Sequence, residues 1–456
     1  MSENMMTGRQ AAVRVLDSAD LREDYAAEIV GQFLPRTDEK QRATDIVSGV
    51  VRNRAAIDAV IEKCSGKSIK RVSKEIVNII RVGVYELICC PQTAEHAVVN
   101  EAVELAKTAG GKKQVGFVNA ALRAVQRHIV HRNAALAAAP PRRTLPVTPQ
   151  IGCQFDIDIL PDADKDPDEF FSKAFSLPKW LVTDWLKEFG LDACRRACFG
   201  SNRRPRLYVR PNTLKTTANE LAGVFTGAGV EFELTEAGMI RLPNPDAVTD
   251  LPGFAEGLFT VQDPTAAKAV KLLEPKKEWK ILDLCAAPGT KTTQLGEATG
   301  DEAAIFATDI DSERSKKVEE NIARLGLKSV TVFAYPDLEK ICTEHGPFDC
   351  ILLDVPCSNT GVLARRPEVR HRITPQAVRK LAQIQRRLLD RAAEMVKEAG
   401  VMCYSTCSIQ SDENTELIAV FLTDHSAFRL ESESLVLPNA EGFDYDGGYA
   451  AILRKA

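Results

Sequence analysis

The sequence predicts a multidomain protein with an all-α domain, a small α+β domain and an α/β domain built on a doubly wound parallel sheet. Apolar residues recur at helical spacing through roughly the first 130 residues. From about Asp263, short apolar strands alternate with helical segments, the pattern of a parallel sheet covered on both faces. The 456 residues are enough for two or three domains, and 45% of them are hydrophobic, which can fill a large core.

We assign the first domain to residues 1–131 and expect it to be entirely helical. Val99, Ala102 and Ala106 lie on one helical face, and Gly110 ends that helix before a second periodic stretch begins. Eight basic residues oppose three acidic ones between Arg52 and Arg81. This stretch is either a surface for nucleic acid or simply a solvated helix face.

Residues 132–170 predict an interdomain linker with little fixed structure. The stretch "NAALAAAPPRRTLPVTPQIG" is rich in Pro and Ala, and "DIDILPDADKDPDE" is acidic. Order resumes in residues 171–264, where an amphipathic helix precedes the strand "PRLYVRPNTL", a further helix and the strand pair "VEFELTEAGMIRL". This pattern indicates the small α+β domain.

Residues 265–456 contain the alternating pattern of the α/β domain. Five buried strands are predicted, separated by helical segments: "KILDLC", "AAIFATDI", "VTVFAY", "DCILLDV" and "GVMCYST". Ligands of such sheets bind at the carboxyl ends of the strands, so the residues that follow each strand are the candidates for function.

The stretch "WKILDLCAAPGTKTTQLGEA" predicts a strand, a tight loop and a helix. The small residues Ala286, Ala287 and Gly289 let a ligand approach the backbone closely. Asp309 ends the next strand, where a carboxylate can accept hydrogen bonds from both ribose hydroxyls. This arrangement indicates a nucleoside cofactor, but the spacing does not decide between a dinucleotide and S-adenosylmethionine.

Two of the twelve cysteines follow predicted strands: Cys357 in "DVPCSNTG" and Cys407 in "YSTCSIQSDEN". Both can therefore reach the carboxyl edge of the sheet, and position alone does not say which one is a nucleophile. Cys403 lies inside its strand and is predicted to be core. No C-x-x-C occurs, so we expect no metal site.

Three motifs in this order, "DLCAAPGTKT", "DVPCSNTGVLARRPEVR" and "YSTCSIQSDEN", resemble those of RNA 5-methylcytosine methyltransferases. The stretch "NEAVELAKTAGGKKQVGFVNAALRAV" resembles the RNA-binding protein NusB. Together they resemble the RsmB (Sun/Fmu) family of 16S ribosomal RNA cytosine-C5 methyltransferases. The resemblance implies a NusB-like RNA-binding domain, an RNA-recognition subdomain at 171–264 and a Rossmann-like S-adenosylmethionine-dependent methyltransferase domain.

The resemblance also implies which residues hold S-adenosylmethionine. They are Cys285, Ala286, Ala287, Pro288, Gly289, Thr290, Lys291, Asp309, Asp337 and Asp354. Thr290 stands where the family usually has glycine; since a β-branched residue disfavours positive φ, we expect a negative φ there. Asp337 matches the family's adenine-binding acid only if one residue is inserted.

The chemistry implied by the resemblance uses both cysteines. Carbon 5 of cytosine becomes nucleophilic once a thiolate adds to carbon 6, and that thiolate is assigned to Cys407. Cys357 is assigned to product release and Asp354 to an interaction with N3 as charge builds. The basic stretch after the Cys357 loop either contacts RNA phosphates or is a solvated helix start; its arginines are Arg365, Arg366, Arg370 and Arg372.

We expect the partner to be 16S ribosomal RNA, with the cytosine single-stranded or flipped out. We expect a cytoplasmic monomer engaged in ribosome biogenesis, with neither metal nor membrane, because no signal pattern or long apolar run is present. Three alternatives stay open: methylation of another RNA such as tRNA or 23S rRNA, a DNA-type enzyme that uses Cys357, and a non-catalytic NusB-like protein. A zinc deaminase is excluded because no histidine begins H-x-E.

Overall fold

The computed structural model describes residues 5–21, 23, 26–243 and 247–456. The chain forms two compact units. The first contains residues 1–203 together with Leu363–Ile373, and the second contains Arg204–Val362 together with Thr374–Ala456. A short stretch from the second half of the chain therefore belongs to the first unit.

The first unit begins with a helical bundle, as predicted. Its core is α5, in which every residue from Ile76 to Ile88 is buried and apolar side chains occur on all faces. The helices are α1 (Gly8–Ser18), α2 (Ala26–Phe33), α3 (Lys40–Arg52), α4 (Arg54–Ser65), α5 (Lys74–Cys89), α6 (Glu95–Ala109) and α7 (Lys112–His128).

The prediction that residues 132–170 form a linker with little fixed structure is wrong. They contribute most of a three-stranded antiparallel sheet in the order β1-β3-β2, followed by two helices. The elements are β1 (Ile129–Ala135), β2 (Thr144–Pro146), β3 (Ile151–Phe155), α8 (Pro167–Phe175) and α9 (Lys179–Asn202). Because β1 starts at Ile129, the expectation of an all-α segment over residues 1–131 is also wrong at its end.

Two interactions explain why this segment is ordered despite its composition. Leu145, Cys153 and Phe155 are at most 3% exposed and give the small sheet an apolar face. Arg132 on β1 donates hydrogen bonds of 2.7–3.2 Å to five carbonyl oxygens at the end of α5 and in the turn after it. The guanidinium thus satisfies carbonyls that the helix end leaves without intrahelical partners.

The Leu363–Ile373 segment is held in the first unit by Arg370. The residue is 3% exposed, and its guanidinium donates to Arg52 O at 2.7 Å, Phe175 O at 3.0 Å and Asn202 Oδ1 at 2.7 Å. Burial lowers the pKa of Arg370 to about 9. The segment is therefore part of the folded interior of this unit.

The second unit contains the strands and the second helix of the predicted α+β domain, whereas the amphipathic helix that the prediction placed at the start of residues 171–264 belongs to the first unit. Its antiparallel sheet has the order β5-β6-β4-β7, and α10 packs against it through buried Phe225. The elements are β4 (Leu207–Pro211), α10 (Ala218–Gly227), β5 (Glu233–Leu234), β6 (Ile240–Leu242) and β7 (Phe259–Val261).

The rest of the second unit is a seven-stranded sheet in the order β10-β9-β8-β11-β12-β14-β13. The five predicted strands are parallel, and two further strands extend the sheet by antiparallel pairing, β14 with β12 and β13 with β14. The strands are β8 (Lys280–Asp283), β9 (Ala304–Ala307), β10 (Val330–Val332), β11 (Phe348–Asp354), β12 (Val396–Thr406), β13 (Phe428–Val436) and β14 (Gly448–Lys455).

Helices cover both faces of this sheet. Leu389 and Phe421 belong to an apolar cluster on one face, and Val270 and Leu295 belong to a cluster on the other. The helices are α11 (Pro264–Leu273), α12 (Thr290–Ala298), α13 (Ser312–Leu325), α14 (Leu338–His345), α15 (Pro375–Met395) and α16 (Thr415–Asp424). The prediction of a doubly wound, Rossmann-like domain is confirmed.

Within the described ranges, no helix is long and apolar enough to cross a membrane.

Candidate active site

The strand order reverses between β8 and β11, and this is where the predicted site residues meet. From β8 the chain proceeds outward to β9 and β10, whereas β11 lies on the other side of β8 and leads to β12. Such a switch point leaves a crevice outside the carboxyl ends of the strands. The register pairs Asp354 on β11 with Ser405 on β12, so the loops bearing Cys357 and Cys407 leave the sheet side by side.

The loop after β8 has the tight backbone that its small residues predict. Gly289 has φ of 98° and directly precedes α12. A Cβ at Gly289 would lie 3.1 Å from Val318 Cα, so both the backbone conformation and the available space favour glycine. Thr290 is not among the residues with positive φ and begins the helix, as we expected.

Asp309 is held against this loop. Its carboxylate is 7% exposed and accepts hydrogen bonds from Ala287 N at 3.1 Å and Asp311 N at 3.0 Å. Each oxygen retains a lone pair for another donor, which fits the pair of ribose hydroxyls of a nucleoside. Asp337 lies exposed at the start of α14, after the neighbouring strand β10, and its role stays a prediction.

Lys291 lies at the centre of the crevice. Its Nζ is 2.7 Å from Asp354 Oδ2, and Ser405 Oγ donates to Asp354 Oδ1 at 2.8 Å. Burial alone would lower the pKa of Lys291, but the Asp354 carboxylate and the nearby Cys407 sulfur raise it overall. The sequence assigned Lys291 only to the cofactor; its contact with Asp354 depends on strand adjacency, which no local pattern reveals.

The two candidate cysteines are in direct contact. Their Sγ atoms are 3.0 Å apart, and Cys407 Sγ lies 3.2 Å from Asn359 Oδ1. The hydrogen bond with Cys407 and burial together raise the pKa of the Cys357 thiol. Because the Cys407 thiol can donate to Asn359 Oδ1, the Cys357 thiol can donate in turn to the Cys407 sulfur. The sequence did not indicate Asn359.

The other two cysteines near the site are structural in character. Cys403 is fully buried within β12, and burial raises its pKa to about 12, which confirms the prediction that it is core. Burial likewise raises the pKa of Cys285 in the cofactor loop. Neither thiol has the environment of a reactive thiolate.

An open cleft lies against this arrangement. Lys291 and Cys407 both line it, together with Thr265, Asp446 and Tyr449. Cys357 is not among the lining residues. Cys407 is thus the thiol of the pair that lines this cleft.

The basic segments only partly match their predictions. The hypothesis that Arg370 contacts RNA phosphate is wrong, because its guanidinium is buried and hydrogen-bonded to carbonyls. Arg366 is exposed. In the stretch from Arg52 to Arg81, both end residues are buried, whereas the exposed basic residues are Lys63, Lys67, Lys70, Arg71 and Lys74.

Three family models match the chain. The model described as 16S rRNA methyltransferase RsmB/F matches residues 270–448. The NusB family model matches residues 6–127, and the RsmF/B-like ferredoxin-like domain model matches residues 177–249. Their order is that of the helical bundle, the α+β domain and the doubly wound domain.

Whole-chain comparisons agree with the domain matches. A probable ribosomal RNA small subunit methyltransferase B of Synechocystis is 32% identical to this chain. The alignment covers 98% of this chain and 96% of that protein. Its counterpart in Bacillus subtilis is 29% identical, covering 84% and 80%.

Two solved structures share the fold. The crystal structure of PH0851 matches with a TM-score of 0.75, 23% identity and 98% of each chain covered. NSun6 from Pyrococcus horikoshii with SFG matches with a TM-score of 0.55 and 22% identity, covering 61% of this chain and 98% of its own. Together with the paired cysteines at the carboxyl edge of a Rossmann-like sheet, these similarities show that the chain belongs to the RsmB/F methyltransferase family and is an S-adenosylmethionine-dependent RNA methyltransferase.

Proposed function

We propose that this enzyme methylates carbon 5 of a cytosine in 16S ribosomal RNA through a covalent bond between Cys407 and carbon 6. The observation that carries the proposal is the pair of thiols in contact at the ends of adjacent strands, with Cys407 facing the cleft beside Lys291. A single thiol is enough to attack the base. A second thiol in contact with the first suits a reaction in which the bond between Cys407 and carbon 6 must afterwards be broken.

The cofactor-binding residues are the 285–291 loop and Asp309, with Asp337 and Asp354 as further candidates. When bound, S-adenosylmethionine supplies an electrophilic methyl group. Gly289 lets the loop pack closely against Val318 of α13, and Asp309, fixed by two backbone N–H groups, can accept from the ribose. Residues that hold the donor in this way would orient its methyl group toward the base, and such positioning lowers the entropic part of the barrier.

Lys291 and Asp354 are placed to assist the attack on the base. When Cys407 adds to carbon 6, electron density moves toward N3 of the cytosine, where a proton or a cation is stabilising. In the Lys291–Asp354 ion pair beside Cys407, the Lys291 ammonium can supply that proton or that positive charge. Ser405 holds the second oxygen of Asp354. Such a preorganised pair in a partly buried site needs little rearrangement during the reaction.

Cys357 is suited to the release step. After methyl transfer, the proton on carbon 5 must leave so that the double bond re-forms and the carbon 6–Cys407 bond breaks. Cys357 Sγ lies 3.0 Å from the departing sulfur, so its thiol can give its proton to Cys407 as the carbon 6–sulfur bond breaks and can take up the carbon 5 proton in its place. We assign Cys357 to accept the carbon 5 proton and so release the product.

The choice of 16S ribosomal RNA as the substrate is supported by the curated relatives. They include the ribosomal RNA small subunit methyltransferase B of Yersinia pseudotuberculosis, which is 28% identical over 99% of this chain. The exposed lysines between Lys63 and Lys74 add a surface for phosphate. A single-stranded or flipped cytosine is required because carbon 6 is shielded within a helix. We propose a monomer that acts in the cytoplasm during ribosome biogenesis.

Bisulfite sequencing of ribosomal RNA from cells with and without the gene tests the proposal. We expect one 16S cytosine to lose its methylation signal in the deletion strain and to regain it with the wild-type gene but not with Cys407→Ala. A lost signal in tRNA or 23S rRNA instead would support the alternative substrates. No change in any RNA would contradict the proposed reaction.

A further inference from the structure

The acids in "YSTCSIQSDEN" are not used by the reaction as proposed, yet one of them is central to its geometry. Glu413 follows Cys407 by six residues and is fully buried, whereas its neighbour Asp412 is exposed. A buried acidic side chain is costly unless hydrogen bonds compensate for the lost water. The partners of Glu413 therefore indicate what the residue does.

The Glu413 carboxylate accepts four hydrogen bonds, and three come from the residues that follow the two cysteines. Ser358 N donates to Oε1 at 2.8 Å, and the Ser358 and Ser408 hydroxyls both donate to Oε2. Ser358 follows Cys357 and Ser408 follows Cys407. One carboxylate thus connects both cysteine loops.

The fourth hydrogen bond extends the connection to the other side of Cys357. Gln385 Nε2 on α15 donates to Glu413 Oε1 at 3.0 Å and to Pro356 O at 2.9 Å. Pro356 precedes Cys357 in the chain, so both neighbours of this cysteine are held. The Tyr404 hydroxyl in turn donates to Glu413 O at 2.6 Å, which fixes the backbone of the acid itself.

We propose that Glu413 is a positioning residue that sets the contact between the Cys357 and Cys407 thiols. It lies outside the cleft and its carboxylate bonds to neither thiol, so it acts through the two serines. Satisfied buried networks of this kind rigidify the groups they join. The inference rests on the proposed function for its catalytic consequence, but the thiol geometry can be measured without RNA.

The first measurement is thiol oxidation of the full chain by diamide. Two thiols lose two protons and two electrons to diamide, which becomes the hydrazine, and a disulfide forms. We expect wild-type protein to form the Cys357–Cys407 disulfide, mapped by mass spectrometry, at least tenfold faster than Glu413→Ala. Asp412→Ala, which removes the adjacent exposed acid, should match the wild type.

The conservative variant separates positioning from negative charge. In Glu413→Gln, the amide oxygen can accept from Ser358 N and Gln385, while the amide nitrogen donates to the two hydroxyls, which rotate to accept. We therefore expect Glu413→Gln to restore disulfide closure to within about twofold of the wild type. Should Glu413→Ala fail to fold, Glu413→Asp, one methylene too short to reach both loops, replaces it with the same expected slowing.

The second measurement is methylation of ribosomal RNA at saturating substrate. We expect Glu413→Ala to lower kcat by about 10²-fold, the usual effect of a misplacement of about 1 Å, with KM for S-adenosylmethionine within twofold. Closure of the disulfide at the wild-type rate in Glu413→Ala, or equal losses in Glu413→Ala and Glu413→Gln, would overturn the inference. Absence of methylation by the wild type would contradict the proposed function instead and leave the disulfide result intact.

Discussion

At the scale of single residues, the proposed reaction gives the two cysteines in contact separate tasks, attack and release, so their variants should behave differently. Without Cys407 no covalent bond to carbon 6 can form, so Cys407→Ala should be inactive and bind RNA only reversibly. Cys357→Ala can still attack and methylate but cannot release, so it should accumulate a covalent protein–RNA adduct. A denaturing gel shows this adduct as a shifted band.

Cys403→Ala is the matched control for these variants, because that thiol is buried within β12, the strand that leads to Cys407. It should form no trapped adduct and keep its activity, apart from any loss of stability. An adduct in Cys407→Ala and none in Cys357→Ala would reverse the assignment and favour the mechanism of DNA-type enzymes.

Asp309 should contribute to cofactor affinity through its free lone pairs. We expect Asp309→Ala to weaken S-adenosylmethionine binding by roughly 1–3 kcal/mol, the usual effect of leaving buried polar groups unpaired. Isothermal titration calorimetry measures this, with Glu320→Ala on the exposed face of α13 as the control. Unchanged affinity in Asp309→Ala would remove that carboxylate from the binding site.

At the scale of elements, the Leu363–Ile373 segment should make the first unit sensitive to acid. Burial lowers the pKa of His371 to about 4 from the ordinary 6.5, and the cationic Arg370, Arg54 and Arg81 act in the same direction. Between these pH values the unfolded chain binds a proton that the folded chain does not. Stability is therefore complete above pH 6.5 and falls by up to about 3 kcal/mol as the pH drops toward 4.

Urea denaturation at several pH values can isolate this contribution. The ring nitrogen Nε2 of His371 lies 2.9 Å from Val51 O, and a glutamine can offer a similar donor without titrating. His371→Gln should thus lose part of the decrease in stability between pH 6.5 and 4. His96→Gln, which alters an exposed histidine, should retain all of it; identical pH profiles for both variants would refute the prediction.

Elements with a clear apolar pattern could be predicted from the sequence, whereas elements that depend on tertiary contacts could not. The strands before Cys285, Asp309 and Cys357 read as apolar runs because both faces of the sheet are covered. The sheet within residues 129–155 was missed because Pro and Ala dominate its turns, and its order depends on Arg132 reaching the end of α5. Likewise, the contact of Lys291 with Asp354 arises only when β8 and β11 become neighbours.

At the scale of the whole molecule, the exposed basic residues of the first unit should control RNA affinity. Each lysine that neutralises a phosphate releases counterions, so its removal lowers the salt dependence of binding. Replacing Lys63, Lys67 and Lys70 by alanine should reduce the slope of log K against log salt by about one for each phosphate that is no longer neutralised. Fluorescence anisotropy with a 16S fragment at several salt concentrations measures this slope.

The matched control replaces three exposed lysines of the other unit, Lys316, Lys317 and Lys328. We expect that variant to bind RNA with the wild-type slope. If both triple variants show the same reduction in slope, binding reflects general charge and the first unit has no special role. The catalytic rate at saturating RNA should be unchanged in the first variant, because none of its three lysines lines the cleft.

The return of Leu363–Ile373 to the first unit means that one cut cannot divide this protein into two independent halves. After cleavage between Arg203 and Arg204, the carboxyl-terminal fragment would still supply Arg370 to carbonyls of the amino-terminal one. The two fragments should reassemble when they are co-expressed. They should then elute together as one species in gel filtration under native conditions. An amino-terminal deletion to residue 203 would instead expose Leu363, Val369 and Ile373 and invite aggregation.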